Sequence, residues 1–387
     1  MARGSIQKRQ SAKGMAYWVR VEYAADPTTG ERRQRSETFR LKKDAEAALA
    51  KWLAEIDRGT AVDTTRQTVG EFLTHWLDTV AAYRVRPTTL EDYRYTVERQ
   101  IIPALGSIPV QRLTAAHVQA FYAEKRAAGC GARTVQLCHL RLSQALKQGV
   151  RWGTVTRNVC DAVDAPRSKA KPGKTWTPGE ARQFLAGTEG DALCPLWSLA
   201  LTTGARQGEL LGVRWQDLDF DRATLTIRQA VAVHKGRVII QEPKSRAALR
   251  TIALPVESVA ALRAHRVRQA TARLATADAY ADHDLVFATA LGTPVHPSNV
   301  LRAFYRLIER TGVPRITFHG LRHTHATWLI ANGTPITTVS DRLGHAKSSI
   351  TLDTYAHVVA RTRDEAALAI SGLLFGPDAA PVASVGT

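Results

Sequence analysis

Residues 317–359 read TFHGLRHTHATWLIANGTPITTVSDRLGHAKSSITLDTYAHVV. Apolar residues at helical spacing divide the stretch into three helical runs, TFHGLRHTHATWLIANG, TTVSDRLGH and SITLDTYAHV, the end of a helical bundle. His319, Arg322 and His323 crowd one turn of the first run, His345 closes the second, and Tyr355 stands in the third. Singly, each has an ordinary reading. The histidines suit a helix end with a satisfied core imidazole, and a tyrosine packs its ring while its hydroxyl stays wet.

Working back towards the N-terminus, VESVAALRAHRVRQA and PSNVLRAFYRLIERTG are helical, and ATLTIRQ, GRVIIQEP and RTIALP are strand-rich. Lys244 follows Pro243 at the end of a strand, where most lysines are solvated hairpin charges. Before the strands, LTTGARQGELLGVRW carries Arg206 one helical turn from Glu209; in isolation this is a surface arginine in a salt bridge. Beyond Tyr355, ALAISGLLF reads as an apolar helix, packed on its own domain or donated to a neighbour.

DAPRSKAKPGKTWTP, residues 164–178, is rich in Pro, Lys and small residues without apolar periodicity and reads as an exposed linker. Residues 66–163 are helical throughout, with Pro87 and Thr114 marking helix starts. At the front, AYWVRVEY and RQRSETF flank the turn signal DPTTG as a β-hairpin, and LKKDAEAALAKWLAEIDRG follows as an amphipathic helix closed by Gly59. The organisation expected is a sheet-plus-helix module over 1–62, a helical domain over 66–163, a linker over 164–178, a mixed domain over 179–375 and a tail over 376–387. The fold class is mainly α with small β-sheets.

The 387 residues are too many for one ordinary domain. Lys and Arg number 53 against 35 Asp and Glu, a formal charge of +18, which favours a polyanionic partner. No Lys or Arg follows Arg363, so the basic character belongs to the body and the front of the chain. No apolar run approaches the ~20 residues that span a bilayer, and MARGSIQKRQ lacks the apolar stretch of a secretory signal, so a cytoplasmic protein is expected. Cys130, Cys138, Cys160 and Cys194 have neither C-x-x-C nor metal-ligand spacing and read as reduced core residues.

The order A-R-x-G-E-L, a lysine in a β-turn, H-x-L-R-H, L-G-H and a tyrosine ten residues later closely resembles the tyrosine recombinase family, phage integrases similar to lambda integrase among them. The resemblance covers about Thr68 to Val359 and implies a SAM-like, core-binding helical domain before a catalytic one. The front module resembles the three-strand-plus-helix domain with which many mobile-element integrases grip arm-type DNA sites. On this resemblance the chain is a site-specific recombinase that integrates or excises a phage or mobile element through a 3′-phosphotyrosine bond to Tyr355.

Phosphodiester chemistry explains why such residues gather. A five-coordinate transition state concentrates charge on the non-bridging oxygens, and Arg206 and Arg322 each offer a permanently charged fork to them. By resemblance His319 accepts the tyrosine proton, His345 donates to the scissile phosphate, and Lys244 protonates the leaving 5′-oxygen. Glu209 orients Arg206, and His323 serves packing. No cofactor is implied: there is no G-x-x-x-x-G-K-[ST] loop, no acidic two-metal cluster, and no H-E-x-x-H among His319, His323 and His325. The implied partners are double-stranded attachment sites, three further copies of the chain in a tetramer on DNA, and an excision factor or DNA-bending protein, at a bacterial nucleoid. A type IB-like topoisomerase and a catalytically silent DNA-binding regulator with the same fold are the competing readings.

Overall fold

A computed structural model describes residues 3–11, 14–22, 34–57, 67–166, 173–242, 248–276 and 279–359, with Ile370, Leu374 and Gly376. Two units divide the chain, Met1–Ala170 and Lys171–Thr387.

The first unit opens with an antiparallel sheet of β1 (Arg3–Ser11), β2 (Gly14–Glu22) and β3 (Gln34–Phe39). Alternation puts Val19 and Val21 of β2 on one face, where they are buried with Ala45 and Trp52 of α1 (Lys42–Asp57). The register pairs Gln7 with Trp18 and Trp18 with Thr38, leaving these on the opposite face. The hairpin reading did not include β1, whose sequence RGSIQKRQS holds one large apolar residue, Ile6, packed on the cluster.

Helices fill the rest of this unit. α2 (Val69–Trp76) starts in a capping box between Thr68 and Glu71, runs through a π-turn at Leu77–Ala81 and ends in α3 (Ala82–Arg84). α4 (Pro87–Thr96) begins on Pro87 and passes through a second π-turn, Val97–Ile101, into α5 (Ile102–Leu105). Pro103 has no N–H for an α-helical bond and its ring crowds the carbonyl four residues back, which the wider turn relieves. α6 (Ala115–Ala127), capped by Thr114, and α7 (Ala132–Arg151) close a core around Phe72, Trp76, Phe121 and Leu142.

The second unit is built on α8 (Pro178–Ala186), α9 (Cys194–Thr203) and α10 (Gln207–Leu211). β4 (Leu218–Asp219), β5 (Thr224–Ile227) and β8 (Arg250–Ala253) form one antiparallel sheet, and β6 (Ala230–His234) with β7 (Arg237–Gln241) forms a separate hairpin. α11 (Val256–Thr276), α12 (Pro297–Thr311), α13 (Phe318–Ala331), α14 (Ile336–Leu343) and α15 (Ser348–Val359) complete the bundle. Its core packs Trp176, Phe184, Trp197, Phe304 and Phe318 in tilted and edge-to-face contacts.

Trp176 corrects the linker expectation. The linker was expected to reach Pro178, yet Trp176 is buried, donates from its ring to the Pro314 carbonyl and from its backbone to Thr324, and accepts from Trp328. An aromatic ring of that size gains more from the core than from water, so the second core begins before α8. The helix expected at ALAISGLLF lies outside the described residues except for Ile370 and Leu374, both exposed. All four cysteines are free thiols, Cys138 and Cys160 buried and Cys130 and Cys194 half-buried. No helix among the described residues is long and apolar enough to cross a membrane.

Candidate active site

A left-handed glycine sets the position of the first arginine. α9 ends at Gly204, φ +63°, where a side chain is strained and where a Cβ would stand 2.6 Å from the His325 ring. The turn delivers Arg206 to the N-cap of α10, with Glu209 at its third position. One Glu209 carboxylate oxygen accepts from Arg206 Nη1 at 2.7 Å, and the other accepts from the Arg206 backbone N–H at 2.9 Å. Arg206 Nη2 reaches the Gly344 carbonyl at 3.5 Å, and its side chain stays 42% exposed.

The same Gly204 carbonyl accepts from Nη1 of Arg322, on α13, at 2.8 Å. Arg322 is only 3% exposed, and its Nη2 is buried with no hydrogen-bond partner. Burial, followed by the charge of Arg206, pushes this guanidinium down to about 9. A buried cation with a free donor is an unfinished anion site.

His319 and His345 border the same cleft. α14 stops at Gly344, φ +69°, which turns His345 back; its Nδ1 lies 2.7 Å from the buried Thr351 hydroxyl. Burial and the surrounding cations push both imidazoles down to about 4. The cleft, about 580 Å³, is lined by Arg206, Glu209, His319, Arg322 and His345 and by residues flanking the 243–247 segment. Lys244 lies outside the described residues.

Tyr355 does not line this cleft. Its ring is buried, 3% exposed, among Ala326, Ile330, Val339 and Leu343, and its hydroxyl oxygen lies 2.8 Å from Nδ1 of His323. Burial pushes the phenol up to about 12 against the opposing charge of Arg322. The expectation that His323 only packs is therefore corrected. His319 and His323 stand one turn apart on one face of α13, their rings 4.8 Å apart, and the later turn is the one that meets Tyr355.

Three supporting residues escaped the sequence reading. Arg250, at the start of β8, donates to Glu209 at 2.8 Å; Thr351 holds His345; and Arg342 donates to His325 Nε2 at 3.2 Å. The one charged residue of the strand segment RTIALP was the available signal for Arg250. His325, which follows the H-x-L-R-H motif, turns to the Leu201 carbonyl. No group of three or more His, Cys, Asp or Glu suited to a metal ion occurs among the described residues.

Residues 188–361 match the phage integrase family model, and residues 68–126 match the SAM-like N-terminal domain of phage integrases. A XerC-like tyrosine recombinase of Caldanaerobacter subterraneus is 29% identical over 353 residues, 86% of this chain and 90% of that protein. The chain belongs to the phage integrase family of tyrosine recombinases. An integrase of Streptomyces ambofaciens is 28% identical, covering 92% of this chain and 93% of its own. The Tn1549 transposon integrase, solved in complex with a circular intermediate DNA, shares the fold with a TM-score of 0.65 at 21% identity, covering 78% of this chain and 99% of that one. The chain is thus a DNA recombinase, mostly helical with small antiparallel sheets, and these relatives do not favour the topoisomerase or silent-regulator readings.

Proposed function

We propose that the cleft receives the scissile phosphate of a duplex attachment site, and that Tyr355 attacks it. The free Nη2 of buried Arg322 carries the reading: Arg206 and Arg322 line one cleft with a single carboxylate, Glu209, which Arg206 already engages, so the lining keeps net positive charge for a phosphate. The two forks neutralise the non-bridging oxygens, and His345, its ring held by Thr351, donates to the same phosphate.

In the step itself the phenolic oxygen of Tyr355 bonds to phosphorus, its proton passing to His323 or His319, and the bond to the 5′-oxygen breaks. Lys244 protonates that leaving oxygen. The 5′-hydroxyl of a partner strand then reverses the step and releases Tyr355, so that bond energy is retained without a nucleotide cofactor.

Exchange between two duplexes needs four cuts with one tyrosine each, which sets a tetramer as the working form. The sheet face opposite α1 carries Gln7, Arg9, Arg20, Ser36 and Thr38, suited to an arm-type site, and the helical domain presents Arg84, Lys147 and Arg151 beside Tyr93 and Trp76, suited to the core site. An excision factor or bending protein and a place at the bacterial nucleoid complete the proposal. Full-length protein incubated with a nicked suicide duplex spanning an end of the encoding element gives a covalent protein–DNA species, absent in Tyr355→Phe. Wild-type protein that binds the duplex without forming this species rules the reading out.

A further inference from the structure

Arg250 lies outside every motif that carries the family resemblance, yet it touches two residues of the cleft wall, Glu209 and Ala248, and the last turn of α14. Its side chain is 7% exposed and fully engaged: Nη2 donates to Glu209 Oε2 at 2.8 Å, Nε to the Arg342 carbonyl at 2.7 Å, and Nη1 to the Ala248 carbonyl at 3.1 Å. The Glu209 oxygen it meets is the one that accepts the Arg206 backbone N–H. The Arg342 carbonyl stands two residues before Gly344, whose own carbonyl accepts from Arg206 Nη2. Ala248 follows directly on the 243–247 segment that contains Lys244.

We infer that Arg250 is a positioning residue for strand cleavage, which fixes Glu209 and through it Arg206. The inference rests on the phosphate-cleft reading above. A buried carboxylate shared by two guanidinium groups gives up only part of its charge to each, so Arg206 keeps net positive charge for the phosphate. Burial works to raise the Glu209 carboxyl, but the hydrogen bond and charge of Arg250, followed by those of Arg206, hold it below the usual carboxylate range. A planar fork can meet a carboxylate and two carbonyls at once, whereas a single ammonium on a lysine cannot span them.

The test uses full-length protein and the nicked suicide duplex, with single-turnover rates at saturating DNA. Arg250→Lys and Arg250→Met lower the rate by about 10- to 100-fold, as expected for a misplaced phosphate donor, while half-saturation by DNA changes less than about twofold. In a Glu209→Gln background, Arg250→Met costs less than about twofold further, because the residue acts through that carboxylate. On a duplex whose scissile phosphate is a methylphosphonate, which carries no charge to neutralise, the Arg250 defect shrinks. Should Arg250→Met not fold, Arg250→Lys keeps stem and charge and carries the same comparisons. Wild-type rates in Arg250→Lys, or a full additional loss in the Glu209→Gln background, overturn the positioning role while leaving the recombinase reading intact. Wild-type protein that forms no adduct overturns both.

Discussion

The Tyr355 hydroxyl oxygen sits 2.8 Å from Nδ1 of His323, so the proposed nucleophile rests against an imidazole and not against the arginines of the cleft. The phenol, pushed up to about 12 by burial, holds its proton at neutral pH. His323 is pushed below its ordinary range by burial and then by Arg322, so it is unprotonated under the same conditions. In the tautomer with Nδ1 bare, the phenol donates to it, an arrangement ready for proton removal.

His323→Ala should therefore slow single-turnover cleavage by about 10²-fold or more, the usual contribution of a positioned base. Because the imidazole must be unprotonated and its pKa is lowered, the wild-type rate stays level as pH falls to about 6.5 and drops only below that. The acid drop disappears in the variant. An acid limb that persists unchanged in His323→Ala assigns the base elsewhere, with His319 the next residue to test.

Gly173 gives a second handle on the same contact. A Cβ there would stand 2.7 Å from the Cδ2 atom of His323, so Gly173→Ala must displace the ring that meets Tyr355. Cleavage falls about tenfold while DNA binding holds, a small displacement having a large cost at a reacting centre. Combined with His323→Ala the substitution costs nothing more; a multiplied loss shows that it acts by another route.

Arg322 trades stability for chemistry. Arg206→Ala and Arg322→Ala each lower adduct formation by about 10²–10³-fold, the typical effect of removing one preorganised donor. Arg322→Lys does not rescue, since the side chain must hold the Gly204 carbonyl and present a second donor. A buried cation pushed down to about 9 is costly to the fold, so Arg322→Met melts at or above the wild-type temperature while inactive. A clear drop in melting temperature shows the guanidinium to be a stabilising strut.

Chemistry-bearing residues and helix periodicity were readable in the chain because both are local. Thr114 caps its helix and Pro87 opens one, as their side chains and rings dictate. The third strand of the front sheet follows from the family resemblance alone, because β1, an edge strand with a single large apolar residue, has no alternation to detect, and β6 lies between two segments of stronger strand character. Arg250, Thr351 and the Tyr355–His323 pair were unreadable for another reason. The Arg250 and Tyr355–His323 contacts join separate elements, β8 to α10 and α13 to α15, and the Thr351–His345 contact depends on the turn between α14 and α15, geometry that no spacing encodes.

His325 supplies a test of the fold itself. It is buried between α9 and α14; Arg342 donates to Nε2, which fixes the other nitrogen as the donor to the Leu201 carbonyl and leaves no site for a second proton. Burial, then Arg342, push this imidazole down to about 4, against an ordinary value near 6.5 in the unfolded chain. Between those two values the unfolded chain binds a proton that the folded chain refuses. Its stabilising share is therefore intact above pH 6.5 and is lost as pH falls towards 4, a loss of about 3 kcal/mol for a shift of this size. Calorimetric melting of the full chain at pH 7.5 and pH 5 should show a smaller difference for His325→Asn than for wild type, the amide keeping the donor without the titration. Equal differences in the two proteins would mean that the acid sensitivity of the second unit lies in the cleft histidines, where bound phosphate, but not an empty cleft, suppresses it.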